Sequence, residues 1–482
     1  MKNIKFIKTV FLSLVLFIGC KKSFLEKTPP DALAEGIYYK TADQAKAAVN
    51  AAYATLENPY LYTKYLTKLF IAPTGDVILS NTDGYNLMDF TFTAAEPALF
   101  FTYSKLYEGV FRSNIVLQKV PDITMDDALK TRYLAEAKFL RALYYWHLTT
   151  LYGEVPLFTQ PFKTPDDALV AKSPIADIYK VMIQDLQEAI PDLPSKSQYG
   201  AADLGRATKG AAQALLGKIY LYDKQYQNSY DQFSEVVSSN EYGLVDDFNH
   251  IINVNFENNK ESVFEVQYAE IGSSDVGNDR AINDNPQVNG GTGNTLPTQQ
   301  IVDAFGSNDP RLGYSIFLPG QPFAPQLSTS SQNLDVYQSI WSATGYNIKK
   351  GLTPVAYINN RGTNWPIIRY ADVLLMYAEA ANEIGKIDEA RDAVNEVRER
   401  PGVNMPDLTA GNTDTKDKMF QAIVHERRVE LAFEFHRYND LRRWGMAQDT
   451  LGHLGYTARD RYYPIPQVEI DLNKNLKQAD GW

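Results

Sequence analysis

Leu140, Leu143, Tyr144, His147, Leu148 and Leu151 recur at three- and four-residue steps within residues 132–158. That spacing lines one face of an α-helix. Gly153 and Pro156 close the stretch, because Pro lacks the amide that a further turn needs and Gly accepts the backbone of a helix end. The same period predicts helices over 42–56, 103–120 and 175–190. Two other stretches carry the offsets of a tetratricopeptide hairpin: Leu216, Gly217, Tyr220 and Phe233 in 213–236, and Ala378, Ala390, Val394 and Val397 in 377–397. Small residues at the first positions let two helices approach, and larger ones fill the groove between them. Ser229 stands where Ala is usual, and the consensus Trp is missing. His147 lies on the apolar stripe, which makes it a core residue rather than a ligand.

The middle of the chain breaks this pattern. Residues 262–268 (SVFEVQY) alternate like a short strand, with Phe264, Val266 and Tyr268 on one face. Over 271–346 helical period largely disappears and Gly, Asn, Ser, Pro and Gln dominate. The stretch also holds Tyr314, Phe317, Phe323, Tyr337, Trp341 and Tyr346. Disordered segments are poor in aromatics, so an ordered loop layer covering the helices is expected.

At the N-terminus, Lys2, Lys5 and Lys8 precede an apolar run over 10–18, broken only by Ser13. The run is far short of the roughly 20 residues that cross a bilayer and reads as a secretory leader. The chain's single cysteine, Cys20, follows Phe17, Ile18 and Gly19. This resembles the lipobox of bacterial lipoproteins, in which the cysteine is acylated and becomes the mature N-terminus. Phe17 stands where Leu is commoner. One cysteine excludes an intrachain disulfide and a thiolate zinc site. Loss of the leader removes three lysines and takes the formal charge from −11 to −14. Phosphate backbones need a clustered positive field, so nucleic acid is not an expected partner.

Catalytic motifs are missing. There is no HExxH, GxSxG or Walker loop, and the Gly-rich 290–293 is followed by no Lys. His425 and His436 stand eleven residues apart in what reads as one charged helix, too far along it to share a metal. No cofactor is expected. Asp275, Asp279 and Asp284 share a polar loop, but their spacing supports no calcium motif. The alternating charges from Glu426 to Arg443 read as an ion-pair network against neighbouring helices.

Six blocks in order resemble the SusD-like (RagB/SusD) nutrient-binding outer-membrane lipoproteins: the lipobox with FLEKTPP after it, AEAKFLRALYYWHLTTLYGEVPL, FEVQY, WPIIRYADVLLMYAEAANEIG, IVHERRVELAFEFHRYNDLRRWG and YYPIPQVEIDLNKNL. Lys474 stands where Pro is common, and the tail ends ADGW rather than NPGW. The resemblance implies a mainly α fold of about four tetratricopeptide-like hairpins, an irregular loop-rich layer and a few short strands. It divides the chain into a leader over 1–19, a helical half over 20–260, and a second half over 261–482 that carries the loop insert 271–346 and the last helix pair, all in one body. It also implies a lipid-anchored, surface-facing, non-catalytic protein that hands glycans, or peptides in some members, to a SusC-like TonB-dependent β-barrel transporter. A helical-repeat scaffold that binds peptides or proteins instead of glycans is the alternative.

Sugars present flat C–H faces and hydroxyl pairs, which aromatic planes beside planar polar groups can grip. Two segments offer both: 76–92, with Asp76, Asn81, Asp83 and Tyr85, and 337–346, with Tyr337, Trp341 and Tyr346. The resemblance places the ligand site in loops from these two regions. Two roles stay open for Trp341, a stacking platform or packing of the loop layer onto the helices, and Asp83 and Tyr85 also suit a turn with local side-chain bonding. Replacing Cys20 with Ser is expected to abolish lipidation and move the chain from the membrane to the soluble fraction, read by detergent-phase partition and by the mass of the N-terminal peptide. An unmodified, uncleaved terminus on the wild-type chain would refute the anchor.

Overall fold

Helix α1 (Ala42–Ala54) begins where Thr41 and Gln44 cap each other. Gln44 N–H donates to Thr41 Oγ1 (3.3 Å) and Thr41 N–H to Gln44 Oε1 (3.1 Å), which satisfies amides that a helix start leaves open. The computed structural model describes residues 38–80, 84–269, 277–306, 308–323, 336–351 and 362–482. Cys20 lies outside them, as do Asn81 and Asp83. Beyond α1 come α2 (Tyr65–Ile71), α3 (Pro97–Lys119), α4 (Asp127–Tyr152), α5 (Ile175–Ala189), α6 (Lys209–Tyr222), α7 (Tyr226–Ser238), α8 (Gln299–Phe305), α9 (Tyr370–Glu383), α10 (Ile387–Arg398), α11 (Lys416–Glu430) and α12 (Arg437–Arg443), with short helical turns between.

Neighbours in the chain are neighbours in space. Helix α3 packs on α1 and α4, α4 on α5, α6 on α7, α7 on α9, and α9 on α10 and α11, as expected when helical hairpins stack. Helix α4 is buried almost all round from Ala135 to Tyr152 and stops at Gly153, whose φ of 72° a side-chain-bearing residue rarely adopts. Close approach explains two glycines. A Cβ on Gly109 of α3 would lie 2.3 Å from the Tyr144 ring of α4, and one on Gly217 of α6 would lie 2.8 Å from the Phe233 ring of α7. Ser229 fits the hairpin because its buried hydroxyl donates to the Gly217 carbonyl (2.8 Å), so the departure from Ala leaves no polar atom unpaired. His147 is a core residue, its Nε2 2.5 Å from the Tyr62 hydroxyl. Burial, with Lys218 nearby, pushes its pKa down to about 3. The main cluster of buried side chains runs from Ala52 to Leu476, so both halves of the chain share a core.

Three two-stranded antiparallel sheets join the helices to the middle segment: β1 (Val77–Leu79) with β3 (Thr295–Pro297), β2 (Ser262–Val266) with β6 (Trp365–Arg369), and β4 (Ile316–Phe317) with β5 (Asn347–Ile348). Strand β2 differs from its expected half-exposed alternation, because all five of its residues are buried. The outward Glu265 is covered too, and accepts from Asn364 Nδ2 (2.9 Å) and Asn258 N–H (2.7 Å). The layer expected to be irregular contains α8 and the short strands β3, β4 and β5.

The charged stretch expected as one helix is two. Helix α11 ends at Glu430, Phe433 and Phe435 take φ of 69° and 74°, and α12 begins at Arg437. A broken helix frees carbonyls that must find donors. Here buried cations supply them: Arg369 Nη2 donates to Glu430 O (2.7 Å), Lys350 Nζ to Glu430 O (2.8 Å) and Ala432 O (3.3 Å), and Arg280 Nη1 to Phe433 O (3.2 Å). Arg369 and Lys350 also belong to a larger cluster. Arg369 reaches Glu261 (2.7 Å), Glu430 (2.7 Å) and Glu434 (2.6 Å), Arg400 reaches Glu261 and Glu430 (3.1 and 2.8 Å), and Arg311 reaches Asp309 (2.7 Å), Glu430 (3.0 Å) and Glu426. Arg398 closes on Glu426 (2.7 Å) and Lys350 on Glu434. Five cations thus meet five carboxylates, and this balance is what lets so much charge be buried. Burial raises the Glu430 carboxyl, but Arg400, Arg369 and Arg311 outweigh it and hold the group well below the usual carboxylate range. The alternating charges do form the expected network.

Arg369→Met is expected to destabilise the fold by about 3–5 kcal/mol at pH 7, because it leaves the buried cluster one cation short and takes a partner each from Glu261, Glu430 and Glu434. Lys260→Met, at a pair with Asp246 in which both side chains are more than half exposed, should cost under about 1 kcal/mol. Since the folded Glu430 carboxyl titrates below its unfolded value, its contribution is full above about pH 4.3 and is lost as pH falls through the folded value. Urea unfolding of both variants over pH 3–7 checks the ranking and the slope, and equal costs would refute the cluster's role.

Candidate ligand-binding surface

The two candidate segments are distant in sequence and are joined by a third. Strand β1 leads into Ser80, whose amide donates to Asn294 O (2.9 Å) and whose hydroxyl donates to Gly293 O (2.9 Å). Strand β3 then runs beside β1, with Leu79 opposite Thr295. It leads into α8, where Gln299 Oε1 accepts from the Tyr346 hydroxyl (2.8 Å). Residues 293–299 therefore bridge from 76–80 to 337–348. The Gly-rich run has a structural use here: a Cβ on Gly291 would lie 2.3 Å from Asn285 O, so only glycine lets this loop fold back so tightly.

Within 337–348 the aromatics divide into support and display. Tyr337 stacks on Phe317 (centroids 5.5 Å apart, 12° between planes), is fully buried, and donates its hydroxyl to Asn347 Oδ1 (2.6 Å). It has no free face and cannot serve as the stacking platform the sequence offered. Trp341 makes T-shaped contacts with Phe323 and Tyr337, both at 5.4 Å, and is partly exposed. The two contacts fix the orientation of its ring. Beside it Ile340 is 84% exposed, a position that sequence reasoning passed over; its signal was an apolar pair, Ile340 and Trp341, inside an otherwise polar loop. Tyr346 is half-buried, tied at its hydroxyl to Gln299 and at its carbonyl to Ser342 Oγ (2.6 Å). Asn347, also not anticipated, keeps a buried Nδ2 without a partner, 3.6 Å from where a Gly293 Cβ would stand. It is a donor in reserve at the meeting of the segments.

The first segment divides the same way. Asp76 is buried and its carboxylate accepts from Arg428 Nη2 (2.5 Å), while its carbonyl accepts from Thr298 N–H (3.0 Å). This pins β1 to α11 and leaves the carboxylate no role on the surface. Tyr85 is 56% exposed and stays a display residue. Asp284, from the polar loop weighed for calcium, is held by Arg280 (3.0 Å). Among the described residues no group of three or more His, Cys, Asp or Glu gathers as metal ligands. The surface thus offers aromatic and aliphatic faces beside neutral amides, a set suited to polar uncharged ligands with flat C–H faces.

A profile of the SusD family matches residues 260–460, and a related profile described as starch-binding associating with outer membrane matches 23–221. The chain belongs to the SusD-like family. Among its relatives, SusD-like protein P25 of Formosa agariphila is 26% identical over 98% of both chains. Two solved structures share the fold: a SusD superfamily protein from Bacteroides vulgatus (TM-score 0.80, 28% identity, 92% of this chain and all of that one) and a laminarin-binding SusD-like protein (TM-score 0.78, 27% identity, 92% and all). These SusD-like relatives bear out the mainly helical architecture with few short strands.

Tyr337→Ala removes the stacked ring and should cost about 3–5 kcal/mol, whereas Tyr337→Phe loses only the bond to Asn347, about 1–3 kcal/mol. Hydrogen exchange over residues 336–348 reads both. Equal effects would mean that the ring does not carry the packing of this layer.

Proposed function

We propose that this SusD-like chain is a non-catalytic surface lipoprotein. It captures an oligo- or polysaccharide on the loop layer and delivers it to a SusC-like TonB-dependent transporter. The observation that carries this reading is the partly exposed Trp341, fixed by T-shaped contacts to the buried Phe323 and Tyr337 and next to the 84% exposed Ile340. A ring already fixed by its neighbours loses little entropy on meeting a sugar. The exposed amide of Gln299, with Asn81 and Asp83, supplies hydroxyl partners.

The laminarin-binding relative supports a glucan as the ligand class. Anchoring fits as well: among the described residues no helix is long and apolar enough to cross a membrane, and acylation of Cys20 would tether the chain instead. Family membership supports the transporter as partner, since a capture protein serves uptake only beside a pore.

Affinity gels and calorimetry with laminarin and starch test the site. Trp341→Ala should weaken retention at least ~10-fold, roughly 1.4 kcal/mol, and lower Tm by no more than about 2–4 °C. Undiminished retention by the folded variant rejects the assignment. Tight peptide binding with no glycan retained would favour the scaffold alternative, and co-purification with a large β-barrel tests the transporter.

A further inference from the structure

A cavity of about 260 Å³ opens where the C-terminal ends of α4, α6 and α12 converge, and it shares no lining residue with the loop layer. Its walls include Tyr179, Tyr222 and Tyr462, and its cations are Lys224, Arg442, Arg443 and Arg461. Room for Tyr462 comes from Gly153, where a Cβ would lie 3.0 Å from that ring.

The charge in this cavity is not neutralised by the protein. Arg442 is about nine-tenths buried, yet its guanidinium meets no carboxylate: it donates to Arg461 O (2.7 Å), Thr150 O (2.9 Å) and Asn439 Oδ1 and lies 4.2 Å from the centre of the Tyr438 ring. Its Nε has no partner. A buried guanidinium normally finds a carboxylate, as Arg369, Arg427 and Arg141 do elsewhere in this chain. Lys224 and Arg461 stand exposed at the rim, and among the described residues no carboxylate pairs with either. Of the acids nearby, Glu379 and Asp440 are taken by Arg443 (2.8 Å to Asp440), while Asp223, bonded only to the neutral Gln225 Nε2 (2.6 Å), offsets one of the three unpaired cations. The result is a local positive site on a strongly acidic chain.

We propose that this cavity is a second binding site that takes one sugar ring bearing a carboxylate or a sulfate. The oxyanion completes Arg442 and is met by Lys224 and Arg461, in the charge-assisted geometry that guanidinium groups favour. Tyr179, Tyr222 and Tyr462 offer aromatic surface to the ring. The volume lies just under the ~300–1,000 Å³ of drug-sized pockets, which fits a single ring and not a chain. The oxyanion follows from the cavity's own charge. The sugar ring rests on the glycan reading above, and the test separates the two.

Calorimetry with the mature, leader-free chain uses glucuronate and glucose 6-sulfate as probes, with glucose, acetate and inorganic sulfate as controls. Either charged sugar should bind at least ~10-fold more tightly than glucose, and more weakly as salt rises. The double variant Lys224→Gln/Arg461→Gln, which changes exposed side chains and keeps the Arg461 carbonyl, should lose that binding ~10-fold or more with an unchanged Tm. It should retain laminarin like the wild type, and Trp341→Ala should bind the charged sugars normally. No saturable binding of either charged sugar up to ~10 mM, or binding unaltered in the double variant, overturns the site. Acetate and sulfate binding as tightly as the sugars would overturn the ring. Loss of laminarin retention in Trp341→Ala speaks only to the loop layer.

Discussion

Glu430 is the carboxylate on which the architecture turns. It ends α11, and Arg311, Arg369 and Arg400 converge on it from the loop layer, from β6 and from beyond α10. An ion buried without partners costs several kcal/mol, so each of these segments can occupy only the position that keeps the cluster neutral and bonded. The break between α11 and α12 follows from the same constraint. The helix stops where Lys350 and Arg369 cap its last carbonyls, and without those donors the freed backbone groups would be buried unpaired. A cluster of this kind adds little net stability over an apolar core, but it specifies geometry. Lys350 and Arg311 thereby fasten the loop layer, poor in regular structure, to a helical scaffold.

That fastening gives the loop layer its division of labour. Tyr337, Phe317 and Phe323 form a small core of their own, and Asp76 is spent on Arg428. What remains outward is Trp341, Ile340 and Tyr85, carried on a surface whose backing cannot easily shift. Binding residues held by locked neighbours lose less entropy on meeting a ligand. SusD-like relatives with only about a quarter of their residues identical keep the same fold, as expected if scaffold packing tolerates substitution while loops diversify.

Net charge and local charge do different jobs in this molecule. The overall acidity argues against extended polyanions, and the ion pairs at α11 and α12 consume most of the basic side chains there. Arg442, one residue before the paired Arg443, is left facing carbonyls alone. Its neighbour's pairing and its own lack of it are both set by which helices meet at that corner, not by any property of the Arg-Arg dipeptide.

Periodicity by itself determined the helices, the close contact of Gly217 and Phe233 and the core role of His147, because these depend on residue spacing along one or two adjacent elements; the family was legible from the six ordered blocks that resemble it. The two candidate segments were also legible, as aromatic and polar clusters in turn-rich sequence. Only the tertiary structure decided which of their residues face outward. Tyr337 and Trp341 are alike in sequence terms, yet one is sealed by Phe317 and Asn347 while the other keeps a half-exposed ring. Asp76 is claimed by an arginine more than three hundred residues away. Burial and ion pairing are properties of contacts between distant elements, and no local pattern encodes them. For the same reason the helix break at 431–436 was hidden, since its cause, cations arriving from β6, the loop layer and the start of the insert, lies outside the stretch that breaks.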